Sequence, residues 1–217
     1  MTTRSQDAYP FPELPLEPAD AGTNLLLTGP PLVGTQRLLF SMVTGTDDSD
    51  GLLFVSADED GVSIIEDYEM AGHTFDPGRM CVIDCTEHSP EPTGAVRQVS
   101  GPSDLTGIGI EFSSLYESLR ESGVDRARVG LYSIPTLLAF AEDFRAVYRF
   151  LHTVTGRIRT ADGLGVFAID PDAIDDEAFA TVAQAFDARV IVRKSDDGPE
   201  FRVRGLPEQP DGWHPVP

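Results

Sequence analysis

Lysine is almost missing from this chain. Of its 16 basic residues, 15 are arginine and only Lys194 is lysine, while the 36 acids divide into 22 Asp and 14 Glu, for a net charge of −20. Clustered Lys and Arg are what phosphate backbones require, so this balance argues against nucleic acid as a ligand of the whole surface. A Lys-poor, Asp-rich surface suits a salt-saturated cytosol, where charges are screened over about 3 Å near 1 M salt. The acidity then reports a halophilic habitat and no longer argues for a cationic partner.

Long apolar runs are also absent. None approaches the ~20 residues of a membrane-spanning helix, and residues 1–23 carry no basic cluster followed by an apolar stretch. The expectation is a cytoplasmic protein without a membrane partner. Sulfur is scarce: Cys81 and Cys85 are the 2 cysteines, and C-x3-C without a second pair falls short of a zinc site. Both are expected as buried, reduced thiols on a strand. His73, His88, His152 and His214 show no metal-ligand spacing, so no metal site is assigned.

What is present reads as a folded chain, since hydrophobic residues make up 41% of it and its length supports one sizeable core. Short apolar runs alternate with longer amphipathic segments, the order of a parallel sheet with helices on both faces. Strands are predicted over 24–28, 51–56, 80–84, 128–132 and 163–170, and two closing strands, 188–194 and 200–204, flank a hairpin turn at 195–199. Helices are predicted for about ten residues after Gly34, after Asp60 with Val62, Ile65, Tyr68 and Met70 or Ala71 at helical spacing, over 110–122, over 136–159 as the longest, and over 175–187. The stretch 89–109 reads as a surface loop. A core over 24–205 thus lies between an N-terminal arm, 1–23, and a Pro-rich tail, 206–217.

Gly29-Pro30-Pro31-Leu32-Val33-Gly34-Thr35-Gln36 follows the first of these strands and opens a helix, which is the context of a phosphate-binding loop. Its spacing fits G-x-x-x-x-G-K-[ST], but Thr35 and Gln36 stand where a Lys for the phosphates and a hydroxyl for Mg²⁺ belong. Arg37 is one position out of register, which turns it about 100° round the helix. The helix N-terminus still offers amides to an anion.

The order of elements and these motifs resemble the RecA-like P-loop ATPase superfamily, in particular its KaiC-like branch of archaeal and bacterial regulators, over residues 24–213. The resemblance implies a three-layer α/β/α sandwich whose mostly parallel sheet ends in antiparallel C-terminal strands. It places Phe54-Val55-Ser56-Ala57-Asp58-Glu59 where the branch carries paired carboxylates, one of them the general base for water. It places Arg128-Val129-Gly130-Leu131-Tyr132-Ser133 on the Walker B strand, with Tyr132 in place of the Asp that helps hold Mg²⁺. The closing strands, Arg204-Gly205 and Trp213 also resemble the branch's C-terminal end. Walker A and Walker B are therefore both degenerate, and phosphoryl transfer without those groups loses several orders of magnitude in rate.

The expected function is a regulatory or assembly scaffold acting through a protein partner or homo-oligomer, a pseudo-ATPase of haloarchaeal type with no cofactor. The alternative is an ATP-binding or slowly hydrolysing enzyme with Mg²⁺, using Asp58 or Glu59 as base and the vestigial loop residues Gly29, Gly34, Thr35 and Gln36 for phosphate. Kinship also allows a DNA-recombination accessory. Asp58, Glu59 and Asp60 are either a surviving catalytic group or a helix cap with solvated neighbours. Asp58, Asp84 and Asp170 end strands and either line a cation-holding crevice or serve as turn residues. Arg145, Arg149, Arg157 and Arg159 either bind a polyanion or pair with Glu142, Asp143 and nearby acids. Tyr9, Phe11, Leu14 and Leu16 either pack on a neighbouring subunit or dock on their own domain.

Overall fold

A computed structural model describes residues 8–45, 50–86 and 94–217. Its centre is a nine-stranded sheet, in which the apolar runs of the sequence become strands. After a short antiparallel pair, β1 (Ala8–Tyr9) and β2 (Ala19–Asp20), come β3 (Asn24–Thr28), α1 (Thr35–Val43), β4 (Asp50–Ser56), α2 (Gly61–Met70), β5 (Met80–Asp84), β6 (Val96–Gln98) and α3 (Leu105–Glu121). The chain continues through β7 (Arg126–Tyr132), α4 (Ile134–Phe140), α5 (Phe144–Thr160), β8 (Leu164–Ile169), a 3₁₀ turn, α6 (Asp176–Ala183), β9 (Ala188–Ser195), β10 (Gly198–Arg204) and β11 (His214–Pro215). The sheet order is β11-β10-β9-β3-β8-β7-β4-β5-β6, parallel from β9 to β6 and antiparallel where β10 and β11 are added.

Strand periodicity divides the core into two layers. Leu26, Leu53, Val55 and Ile83 face one cluster with the apolar sides of α3, α4, α5 and α6, whereas Leu25, Leu27, Leu52, Phe54 and Val82 face another with α1 and α2. Successive residues of a strand point to opposite faces, so a sheet covered on both sides buries its strands throughout. This is the expected three-layer sandwich with antiparallel C-terminal strands. Cys81 and Cys85 are free and buried in the first layer.

Three local expectations are corrected. The pattern over 136–159 is two helices, because the Asp143 carboxylate accepts from the Ala146 N–H at 2.7 Å and caps α5 afresh after Phe140; a cap competes with continuation of the helix. Part of 89–109 is ordered structure: β6 extends the sheet, and α3 begins at Leu105 with Asp104 capping Gly107. Gly107 and Gly109 lower the helix propensity of that turn, and burial of Ile108 overrides it. Residues 87–93, including His88, lie outside the described residues. On α2 the expected Tyr68 is buried, with Ile65 and Ala71 partly buried beside it, but the fully buried stripe also takes Gly61 and Ile64, and Met70 is exposed. Of the two alternatives for the arm, docking on its own domain is the one seen: Tyr9, Phe11 and Leu14 pack into the second layer, with Leu16 partly buried against it.

Candidate functional site

The loops at the carboxyl ends of β3, β4, β7 and β8 converge, as open parallel sheets arrange their binding crevices. Gly29 N–H donates to Ile169 O at 3.2 Å and Ala57 N–H to Tyr132 O at 2.9 Å, tying adjacent strand ends together. Between them lies a cavity of about 200 Å³ lined by Gly29, Thr35, Asp58, Tyr132, Thr136 and Asp170, among others. Small-molecule sites usually offer roughly 300–1,000 Å³.

The first wall is the glycine-bounded loop. Gly34, at φ 81°, stands before α1 in a conformation that favours glycine. Gly29 has no room for a side chain: a Cβ there would come within 2.8 Å of Thr35 Oγ1 and of Val192 Cβ. The Thr35 hydroxyl turns back into the loop and donates to Pro30 O at 3.0 Å. The Gln36 amide Nε2 donates to Glu59 Oε2 at 2.9 Å. The two positions where a phosphate loop carries its ammonium and its metal-binding hydroxyl thus hold neutral side chains satisfied within the protein. Arg37 is exposed, and its charge acts on His73.

The second wall carries the acids. Asp58 accepts from the Thr136 hydroxyl on α4. Glu59 is half-buried, and burial first, then the nearby Asp67 and Asp58 charges, push its carboxyl above the usual range against the opposing pull of Gln36. Asp60 caps α2, accepting from Val62 N–H and Ser63 N–H at 3.0 Å each, and the Ser63 bonds hold it below the usual range. Tyr132 stands at the end of β7; burial foremost, with the charges of Asp58, Glu59 and Asp170, pushes its phenol up to about 12. It stays neutral and supplies no anionic ligand.

Asp84 is fully buried and holds the Gly61 N–H at 2.8 Å and the Thr86 N–H and hydroxyl at 2.8 Å each. Asp170 caps the 3₁₀ turn through Asp172 N–H. The structure therefore does not gather Asp58, Asp84 and Asp170 into one cluster, and no group of three His, Cys, Asp or Glu side chains able to hold a metal occurs among the described residues. The cavity is lined by two carboxylates and no cation. A magnesium triphosphate needs positive charge on its phosphates, so these side chains do not fit that group.

The C-terminal tail supplies a contact that the sequence announces only by its single Trp. The Trp213 ring carries the Arg193 guanidinium 3.8 Å and the Arg202 guanidinium 4.5 Å from its centroid. His214 pairs with Phe201 in β10, and Val216 N–H donates to Pro199 O at 2.9 Å. Val216 thereby reaches the phosphate-type loop: a Cβ on Gly34 would lie 3.2 Å from Val216 Cγ1 and 3.4 Å from Pro199 Cγ. Leu32, at φ 63°, is fully exposed on the same loop.

The remaining candidates scatter. Arg159 pairs with Asp187 through two bonds of 2.9 and 3.1 Å, and Arg157 donates to Gly109 O. Arg145 and Arg149 are exposed and form no ion pair with Glu142 or Asp143. His73 lies against Tyr68, His152 against Tyr148 and His214 against Phe201.

Among solved structures, a KaiC-like protein from the hyperthermophilic archaeon Pyrococcus horikoshii OT3 superposes with a TM-score of 0.66 at 14% identity, covering 99% of this chain and 93% of that one. The sheet order and flanking helices are accordingly those of a KaiC-like, RecA-type fold. Among curated proteins none matches. The family of unknown function DUF7504 matches residues 22–192, most of the sheet and its helices, and the chain belongs to that family.

Proposed function

We propose that this protein is a catalytically degenerate KaiC-like module that serves regulation or assembly through contacts with a protein partner or further copies of itself. The observation that carries the reading is the way the former phosphate clamp is closed on itself: Thr35 bonds Pro30, Gln36 bonds Glu59, and Val216 lies on Gly34. Phosphoryl-transfer catalysis consists almost wholly of positioning and charge neutralisation, and the cavity side chains here are neutral or acidic. Folding needs none of the missing groups.

A second reading, an ATP-binding or slowly hydrolysing protein, draws on Glu59, whose raised proton affinity beside a crevice is a feature of general bases. Equilibrium binding of a fluorescent ATP analogue with Mg²⁺ in multimolar KCl separates the two. The scaffold reading expects no saturable binding. Saturable micromolar binding, weakened when Gly34 is replaced by a bulky residue, would establish the second reading instead.

A further inference from the structure

The outward side of α3 and α5 forms an open groove of about 790 Å³ whose floor includes Ile110, Phe150 and Val154. Ile110 is 61% exposed. Gly109 on α3 and Gly156 on α5 face open space, with nothing within 4 Å of a Cβ built on either. Glycine weakens a helix relative to alanine, and internal packing gives no reason for it at these two positions. Gly109 lines this groove, and Gly156 lines the hollow that continues it beside Arg120 and Thr160.

The charge along the groove is opposite to that of the protein. Arg149 and Arg157 line it and Arg120 continues the row, against Glu117, in a chain of net charge −20. None of the three arginines joins an ion pair with a described residue. The trough between the two helices has an apolar floor and cations along it, Arg157 reaching across to donate to Gly109 O at 3.2 Å, a surface that suits an amphipathic helix with acidic flanks. A symmetric pairing of two such grooves would set arginines against arginines, because an isologous contact repeats one patch on itself.

We propose that the α3–α5 groove is the docking site for an acidic amphipathic helix of a partner protein. This names the surface behind the scaffold reading and rests on it. A photo-crosslinking residue placed at Gly156, where a side chain meets nothing, tests it in cells that make the protein natively, with the adduct mapped to the partner's residues by mass spectrometry. The expected adduct is one identified protein, joined through a helical segment rich in Asp and Glu. The synthetic peptide of that segment should bind the purified chain in high KCl, at least tenfold more weakly to Arg149→Glu/Arg157→Glu, and not to Gly156→Trp, with melting temperatures unchanged. An adduct to nucleic acid, to a second copy of the chain, to a basic segment, or to nothing overturns the proposal. The ATP-analogue titration is scored separately: nucleotide binding with an intact groove adduct would sink the scaffold reading and leave the docking site standing.

Discussion

Arg128, with no solvent exposure, donates through Nη2 to Pro10 O at 2.9 Å, across a separation of 118 residues. The guanidinium also donates to Met42 O at 3.2 Å, approaches Asp50 Oδ2 at 3.6 Å, and lies 5.2 Å from the Tyr9 ring centroid. An arginine at the heart of β7 thus anchors the N-terminal arm. Burying a guanidinium costs much desolvation, which its carbonyl and carboxylate partners offset.

Removing this side chain leaves the carbonyls and Asp50 short of one partner, although Arg126 still bonds Asp50 at 2.6 Å. Arg128→Ala is expected to cost about 3–5 kcal/mol, read as a lower urea midpoint. Limited proteolysis should then cut within 8–23 before it cuts the core. Arg128→Lys should rescue little, since an ammonium lacks the planar fork that reaches two carbonyls at once.

Trp213 makes the tail directly observable, being the sole Trp. With the Arg193 and Arg202 guanidinium groups both against its ring, cation–π contacts of about 0.5–1 kcal/mol each hold the tail at the surface. The double variant Arg193→Ala/Arg202→Ala should red-shift Trp emission and raise its quenching by acrylamide, with the global melting temperature nearly unchanged. An unaltered spectrum would mean that β11 pairing alone docks the tail.

Glu59 carries a sign that can be checked. Its folded-state proton affinity is raised by burial, so its ionisation opposes folding: the cost is absent below the unfolded carboxylate pKa and fully present above the folded one. Glu59→Gln should therefore raise the melting temperature at pH 7 and change it little near pH 3.5. An equal shift at both pH values would reject the burial argument.

Cys81 and Cys85 should be inert in the native state. Burial pushes the Cys81 thiol up to about 12 and the Cys85 thiol higher still, and the thiolate is the reacting form. Alkylation by iodoacetamide at pH 8 should be negligible in the folded protein and reach both residues in denaturant. Fast native labelling would show that strand β5 opens readily.

Much of the sheet was legible because its strands are covered on both faces and so read as unbroken apolar runs: 24–28 and 80–84 appear as β3 and β5 with the expected bounds. The short strands were not legible. β6 and β11 have three and two residues, too few for a period to show, and they pair only because a neighbouring strand offers an open edge. At the site, the spacing of Gly29 and Gly34 and the lack of a lysine could be read directly. That Gln36 reaches Glu59, or that Thr136 reaches Asp58, could not, since each bond joins residues brought together by separate strands.

Composition and period thus determined, from the sequence alone, an α/β chain with apolar strands, an acidic surface and a phosphate-type loop lacking its cation. These are properties of residue type and local order, which need no distant neighbour to be expressed. Only the tertiary structure decided that an arginine on β7 would be buried to hold the arm, that the tail would fold back onto Gly34, and that α3 and α5 would leave a cationic groove between them. Each depends on which remote segments meet, and contacts of that kind are set by the packing of the whole core.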